Sequence, residues 1–489
     1  MSLTICVVLL SGRSAVLSVP QDATAATVLK LAEQDLNIGL ENLLTPSGSI
    51  LSATSTLREA EVQDNAILTA HVRSGKLIAS GDRAGGAFAS LCPAGSVVIW
   101  GHEEYGGDGT PVQDQLRDVR QIQANMSAFA AIRSDGSVVS WGNQEGGGCS
   151  TPVRDLLKEV QCIQATCTAF AAILSNGFVV TWGGDERGGD SSAVQHLLHN
   201  VQHLQSTIEG AFAAICSDGN VVTWGLDKCG GNSSAVQDRL HDVQQVQATD
   251  IAFAAICSDG SVVTWGEEAF GGDSSGVQDQ LHNVRCIQAS CGAFAAIRSD
   301  GSVVTWGPED YGGDSAAVQD QLHGVEEIQA SECAFAAIRS DGSVVTWGNQ
   351  SLGGDSSAVR SQLKEVQQIQ SSVGAFAAVR WDGSVVTWGD QEDGGDSSSV
   401  QHQLQEVLQL QATDAAFAAL RSDGSVVTWG AETFGGDSSG VQHQLWNIQS
   451  IQASSAAFAA IRSDGCMVAW GPAEHGGDRR RLEGLGPVV

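Results

Sequence analysis

The feature that most constrains this chain is a tryptophan-glycine pair that returns at Trp100, Trp141, Trp182, Trp224, Trp265, Trp306, Trp347, Trp388, Trp429 and Trp470. The spacing is 41 residues at every step but one, where it is 42, and a phenylalanine (Phe88, Phe129, Phe170 and so on to Phe458) stands twelve positions before each tryptophan. Between Phe294 and Trp306 the sequence reads AAIRSDGSVVT. Two β-prone runs flank Ser-Asp-Gly there, and the glycine supplies the positive φ of a hairpin turn. Each unit therefore predicts a β-hairpin. Both runs are apolar on both faces, as expected of a small sheet held between two neighbours. Upstream, Val284, Ile287 and Ala289 read as a third short strand. Asp273 to Gln278 predicts a short helix or an irregular outer strand, with Ser275 and Gln278 at capping-box spacing and Val277, Leu281 and Val284 on one helical face.

A period near 40 residues fits propeller blades and helical repeats alike, and the strand chemistry decides for blades. A lone three-stranded sheet cannot bury both faces, so its stability has to come from contact with its neighbours. Each Phe or Trp buries roughly 150–250 Å², on the order of 4–6 kcal/mol before chain entropy is subtracted. The order Val-x3-Leu, Val-x2-Ile, Ala-Phe-Ala-Ala-Ile, Asp-Gly and Val-Val-Thr-Trp-Gly resembles the repeats of the regulator of chromosome condensation family. The resemblance covers about residues 76 to 489, and DG-x-V-x-x-WG is its specific part. It implies a β-propeller. The unit here is shorter than the family's, and ten units exceed the family's usual ring, so a closed ring and an open spiral both remain open.

The N-terminal run LTICVVLL lacks the basic flank and small-residue cleavage site of a signal peptide. With Ser14 to Val19 it reads as a hairpin. Ala25 to Leu36 has helical spacing, with Asp22 and Thr24 as candidate caps. Short strands around Leu43-Leu44 and Ile50-Leu51, a Pro46-Ser47-Gly48 turn and a last strand Ala66 to Val72 complete the order of a β-grasp fold. Residues 1–73 resemble ubiquitin, with Gly12 at the first turn and TLREAEVQDNAILTAHV as the closing segment. Leu10 and Leu44 fall where that family keeps its hydrophobic recognition patch, and Ala70 and His71 leave its third member open. The family's terminal Gly-Gly is replaced by Ser74-Gly75-Lys76, so the resemblance implies a built-in ubiquitin-like domain. The expected fold class is mainly β, a β-grasp domain over 1–73 followed by a propeller-like array over 76–489.

The formal charge of −31 disfavours nucleic acid and anionic membrane surfaces as partners. No apolar run approaches the roughly 20 residues that span a bilayer, so the expectation is a soluble protein. The twelve cysteines show no C-x2-C zinc pairs and predict free thiols in a reducing cytosol or nucleus. No catalytic, cofactor or metal residues are assigned. His241, His282 and His323 recur at one repeat position, as scaffold residues do. The Gly-Gly-Asp-Ser-Ser stretches resemble phosphate-cradling loops, yet Asp273 would repel a phosphate, and one carboxylate per loop is too few for calcium. A turn and cap is the simpler reading.

Two loop sets vary between units, the residues after Trp-Gly and those before the Phe strand, such as Cys291-Gly292, Glu332-Cys333 and Val373-Gly374. In an up-and-down blade both emerge at one end, which makes one face variable and the other constant. The variable face carries Glu103, Glu104, Tyr105, Asp185, Glu186, Glu267, Glu268, Phe270, Glu309, Asp310, Tyr311, Glu392, Asp393, Glu432 and Phe434. Acids with scattered aromatics predict a surface for a basic protein segment, or solvated loops that keep the array soluble. The arginines two residues before the turn aspartates, such as Arg298 and Arg339, read as local charge partners. A ubiquitin-like unit with such repeats resembles the HERC group of ubiquitin ligases, although nothing here resembles their catalytic domain. The expectation is a non-enzymatic adaptor that docks on ubiquitin-pathway proteins and holds a basic client. Guanine-nucleotide exchange on a small GTPase, implied by the propeller family, and a purely structural array are the alternatives.

Overall fold

A computed structural model describes residues 2–477 apart from 10–13, 37–39, 46–48, 53–54, 61, 73–75, 83 and 465. Leu10, Gly12, the Pro46-Ser47-Gly48 turn and the Arg479-Arg480-Arg481 tail lie outside the described residues. The first strands are β1 (Ser2–Leu9) and β2 (Ser14–Pro20), followed by helix α1 (Ala25–Leu36), β3 (Leu40–Leu44) and β4 (Ala66–Val72). The sheet order is β2-β1-β4-β3, with β1 and β4 parallel, which is the β-grasp arrangement. Alternation along the strands turns Ile5, Val7, Leu43 and Leu68 onto Val28 and Ala32 of α1, a core made only of residues from this unit. Thr24 starts the helix, its Oγ1 accepting the Thr27 N–H at 3.3 Å.

From Lys76 onward the chain forms ten three-stranded antiparallel sheets, each with its strands in chain order. Blade 2 is typical, with an inner strand Val119–Ala124, a middle strand Ala128–Arg133 and an outer strand Val138–Gly142. Phe129 pairs directly with Trp141, and their rings stack at 5.1 Å. The hairpin loop has three residues, Ser134, Asp135 and Gly136, rather than the two of a tight Asp-Gly turn. Arg133 pairs with Ser137 across it (Arg133 N–H to Ser137 O, 2.9 Å), and Gly136 closes it at φ 78°.

The two faces of the AFAAIR strand differ in size, and that difference builds the array. Phe129, Ala131 and Trp141 pack on Ala87, Ala89 and Leu91 of blade 1, while Ala128, Ala130 and Ile132 receive Phe170 and Trp182 of blade 3. A large aromatic face thus meets a small alanine face at each joint. Each indole N–H donates to a glycine carbonyl of the preceding blade, as from Trp141 to Gly106 (3.1 Å) and from Trp306 to Gly271 (3.0 Å). The same pattern joins the ends. Phe88 and Trp100 of blade 1 pack on Ala457, Ala459 and Ala469 of blade 10, and Trp100 donates to Gly476 at 3.0 Å. The propeller is a closed ring of ten blades, not an open spiral, and residues up to Gly476 make the closure.

The connector between blades differs from the expected capping box. In blade 5 it is a 3₁₀ turn, Ser275–Gln280, and the buried serine is Ser274. Ser274 Oγ lies 2.9 Å from Thr264 Oγ1 and 3.2 Å from Gln278 Oε1, and Gln278 Nε2 donates to the Val262 carbonyl at 3.1 Å. Ser275 instead has its N–H held by Asp273 Oδ1 at 2.8 Å. The polar side chains bind the connector to the outer strand, and this wins over an isolated helix, which is marginal at such a length. Val284, expected on the helical face, begins the next inner strand.

Candidate interaction surface

At one end of the ring the Ser-Asp-Gly turns interlock between blades. Val160 N–H donates to Gly136 O (2.9 Å) and Ser175 N–H to Glu159 O (2.9 Å). Glu159 adopts φ 53°, with its Cα 2.6 Å from where a Cβ on Gly136 would stand. Arg133, Arg339 and Arg380 reach the turn acids Asp135, Asp341 and Asp382 at 3.3, 3.5 and 3.1 Å. His323 stands 3.1 Å from Arg339 on this exposed rim. The backbone bonds of these turns hold neighbouring blades in register, while Trp381 of the blade 8 turn stands 71% exposed on this rim.

At the other end both variable loops emerge together, as the strand directions require. The residues between inner and middle strands form a circumferential belt of backbone bonds from blade to blade. It runs through Cys167 to Ile208 (2.8 Å), Asp250 to Cys291 (3.0 Å), Cys291 to Glu332 (3.1 Å), Glu332 to Val373 (3.2 Å) and Asp414 to Ser455 (2.8 Å). The ten inner strands surround the central bore of the ring. Its mouth on this side is a recess of about 370 Å³ lined by Ala79, Met126, Cys167, Ile208 and Ser455 among others. The loops after Trp-Gly are 3₁₀ or similar single turns, pinned from below: Ser290 Oγ donates to Tyr311 O at 2.8 Å and Thr249 Oγ1 to Phe270 O at 3.1 Å.

On these turns Glu103, Glu104, Asp185, Glu186, Glu268, Glu309, Asp310, Glu392 and Glu432 are exposed, and Glu267, Asp393, Tyr105, Phe270, Tyr311 and Phe434 are half-buried. The acids point outward while the aromatics lean back on the blade cores, as Tyr105, Tyr311 and Phe434 do. The ring spreads these positions over six of its ten blades, and it brings two aromatics into contact. Phe270 of blade 5 and Tyr311 of blade 6 have centroids 5.5 Å apart.

The belt adds the acids Glu209, Asp250 and Asp414, with Glu332, which the sequence reading named only as a loop position. They belong to the second variable loop set, so their location was marked while their chemistry was passed over. Burial, reinforced by Glu332 and Glu209, pushes the Asp250 carboxyl up to about 6 despite a contact with Cys291 that works the other way. The Tyr311 phenol is also raised, by burial and then by Cys333, Cys291, Asp250 and Asp310. The single inserted residue near Glu209 is absorbed by Arg187, whose Nη1 lies 2.6 Å from Glu209 Oε2. Among the described residues no group of three or more His, Cys, Asp and Glu is placed to hold a metal ion, and no helix is long and apolar enough to cross a membrane.

In the N-terminal unit the sheet face away from α1 carries Val16 (68% exposed) and Ile67 (56% exposed), both paired with Cys6. Leu44 pairs with Thr69 on the same face. Ala70, left open as a patch member, is turned into the core at 1% exposure.

No protein-family model matches the sequence, nor does any curated protein. Among solved structures, Prp20p from Saccharomyces cerevisiae, studied for its binding to Gsp1p and histones, is 16% identical over 60% of this chain and 80% of its own, with a TM-score of 0.34. The computationally designed Ika8 protein is 15% identical over 68% of this chain and 97% of its own, with a TM-score of 0.29. Ubiquitin of Caldiarchaeum subterraneum is 22% identical over 15% of this chain and 96% of its own, with a TM-score of 0.14. At these identities and TM-scores the likenesses carry no argument, and the fold stands on the chain's own sheets, register and closure.

Proposed function

We propose that the chain is a non-enzymatic protein-interaction scaffold whose acidic loop face holds a basic client segment and whose ubiquitin-like unit docks on ubiquitin-pathway proteins. The observation that carries the first half is the gathering of the variable loops of all ten blades on one rim, with carboxylates outward on a fixed base. Such a ring of negative charge raises the local concentration of a cationic segment and steers it to the rim. The docking half is supported by the apolar open face of the N-terminal sheet, where Val16, Ile67 and Leu44 gather on the side away from the core.

The deciding experiment is affinity purification with the full chain, with a chain lacking residues 1–73, and with an Ile67→Lys variant. Ubiquitin-pathway proteins recovered with the full chain and lost from both variants, while basic partners persist, are the expected result. Identical partner sets from all three would remove the docking role. Accelerated nucleotide release from a small GTPase would instead make the chain an exchange factor.

A further inference from the structure

Phe270 and Tyr311 meet over a glycine. A Cβ built on Gly292 would stand 2.9 Å from Tyr311 Cγ and 3.1 Å from Phe270 Cδ1, so the two rings close down on a position with no side chain. At the equivalent place six blades carry a side chain, such as Ser127, Thr168 and Ile251, and three others carry glycine, Gly86, Gly210 and Gly374. Only the blade 5 to blade 6 joint combines this glycine with an aromatic on each side. Both rings are half-buried, so part of each stays open to solvent. Their backbones are held by Thr249 and Ser290, so the platform is pre-formed.

Exposed Glu268, Glu309 and Asp310 border the two rings on the same turns. The variable loops of blades 5 to 9, from EEAF at 267–270 to AETF at 431–434, contain no lysine or arginine, so no cation of these loops covers the rings. On the opposite rim the chain shows what such a pairing looks like when filled from within. There the Arg462 guanidinium lies 3.6 Å from the Trp446 ring centre and also reaches Asp464. The Phe270–Tyr311 joint offers the aromatic surface and the carboxylates of that arrangement without the arginine.

We infer that the Phe270–Tyr311 platform is the docking point for an arginine side chain of a basic protein segment. This rests on the reading of the loop face as a surface for a basic partner, and names where and how it is read. A planar guanidinium lies flat on a ring face while its fork meets a carboxylate in bidentate fashion. The compact, strongly hydrated lysine ammonium gains less from the same surface.

The test is calorimetric titration of the full chain with a Gly-Ser peptide carrying three arginines and with its lysine and citrulline counterparts. The arginine peptide binds about five- to thirty-fold tighter than the lysine one, and citrulline abolishes binding. Replacing both rings, Phe270→Leu with Tyr311→Leu, keeps apolar bulk and weakens the arginine peptide by about five- to thirty-fold, down to the lysine level. Gly292→Ala, which touches neither charge nor ring chemistry but wedges the rings, has the same direction. Glu392→Gln with Asp393→Asn on blade 8 lowers both peptides equally. Equal binding of arginine and lysine, or an arginine affinity unmoved by the leucine variant while melting temperature is retained, overturns this site and leaves the acidic-face reading standing. Failure of the wild-type chain to bind either basic peptide overturns both.

Discussion

Trp100 donates its indole N–H to the carbonyl of Gly476, 376 residues further along the chain, at the same 3.0 Å that Trp306 keeps to Gly271 of the blade before it. The closing joint is therefore built like the others. Trp100→Phe is expected to cost about 1 kcal/mol, the worth of one buried hydrogen bond with its acceptor left unpaired, and Trp306→Phe about the same. Denaturant midpoints of the two variants check this, and a neutral Trp100→Phe beside a costly Trp306→Phe would mean that the ring is open in solution.

Removing an aromatic ring from a joint has a larger effect. Phe294 is fully buried against Ala252 and Ala254 of the preceding blade. Phe294→Ala leaves a cavity between blades 5 and 6 and is expected to cost about 3–5 kcal/mol. Because each blade contacts only its neighbours, hydrogen exchange should quicken in those two blades first and leave blades 1 and 10 protected.

The interlocked turns give a paired prediction. Gly136 has positive φ, and a Cβ there would stand 2.6 Å from the Glu159 Cα. Gly136→Ala is expected to destabilise by more than about 1 kcal/mol, since neither backbone can yield. Glu159 occupies the left-handed region itself, so Glu159→Gly is expected to gain about 0.5 kcal/mol once the added chain entropy is subtracted. Thermal melts of the two variants should move in opposite directions.

Acid and base act on different carboxylates. The turn acids, such as Asp423, are held below the usual range by the Ser425 hydroxyl and N–H first and by Arg421 after them. Their stabilisation is present above the unfolded value and is lost as pH falls through the lower folded one. Asp250 has the opposite sign. Its folded value of about 6 means that it favours folding while protonated, and this contribution fades as pH rises from about 4 through 6. Asp250→Asn should therefore match the native chain at pH 4 and exceed it at pH 8 by on the order of 1 kcal/mol, allowing for solvent screening. Melting temperatures at the two pH values check the sign.

Much of this protein was legible in the chain itself, because its main determinants are local and periodic. The Phe-to-Trp spacing dictates the hairpin, and the alternation of Phe129 and Ala131 against Ala128, Ala130 and Ile132 already makes one face large and the other small. Helix α1 and strand β4 of the β-grasp unit fall where the sequence periodicity places them, over Ala25–Leu36 and Ala66–Val72. The connector misled because Ser274, Thr264 and Gln278 bond to one another across the blade edge, and a capping pattern read along the chain does not see an outer strand. Three matters were decided by the tertiary structure alone. Closure depends on the sum of ten small rotations between blades, which no single repeat encodes. The raised Asp250 carboxyl depends first on its burial and then on Glu332 and Glu209, brought near it from blades 7 and 4. The meeting of Phe270 with Tyr311 over Gly292 likewise needs two blades docked side by side. Residues 41 positions apart become neighbours only when the joint between their blades is packed.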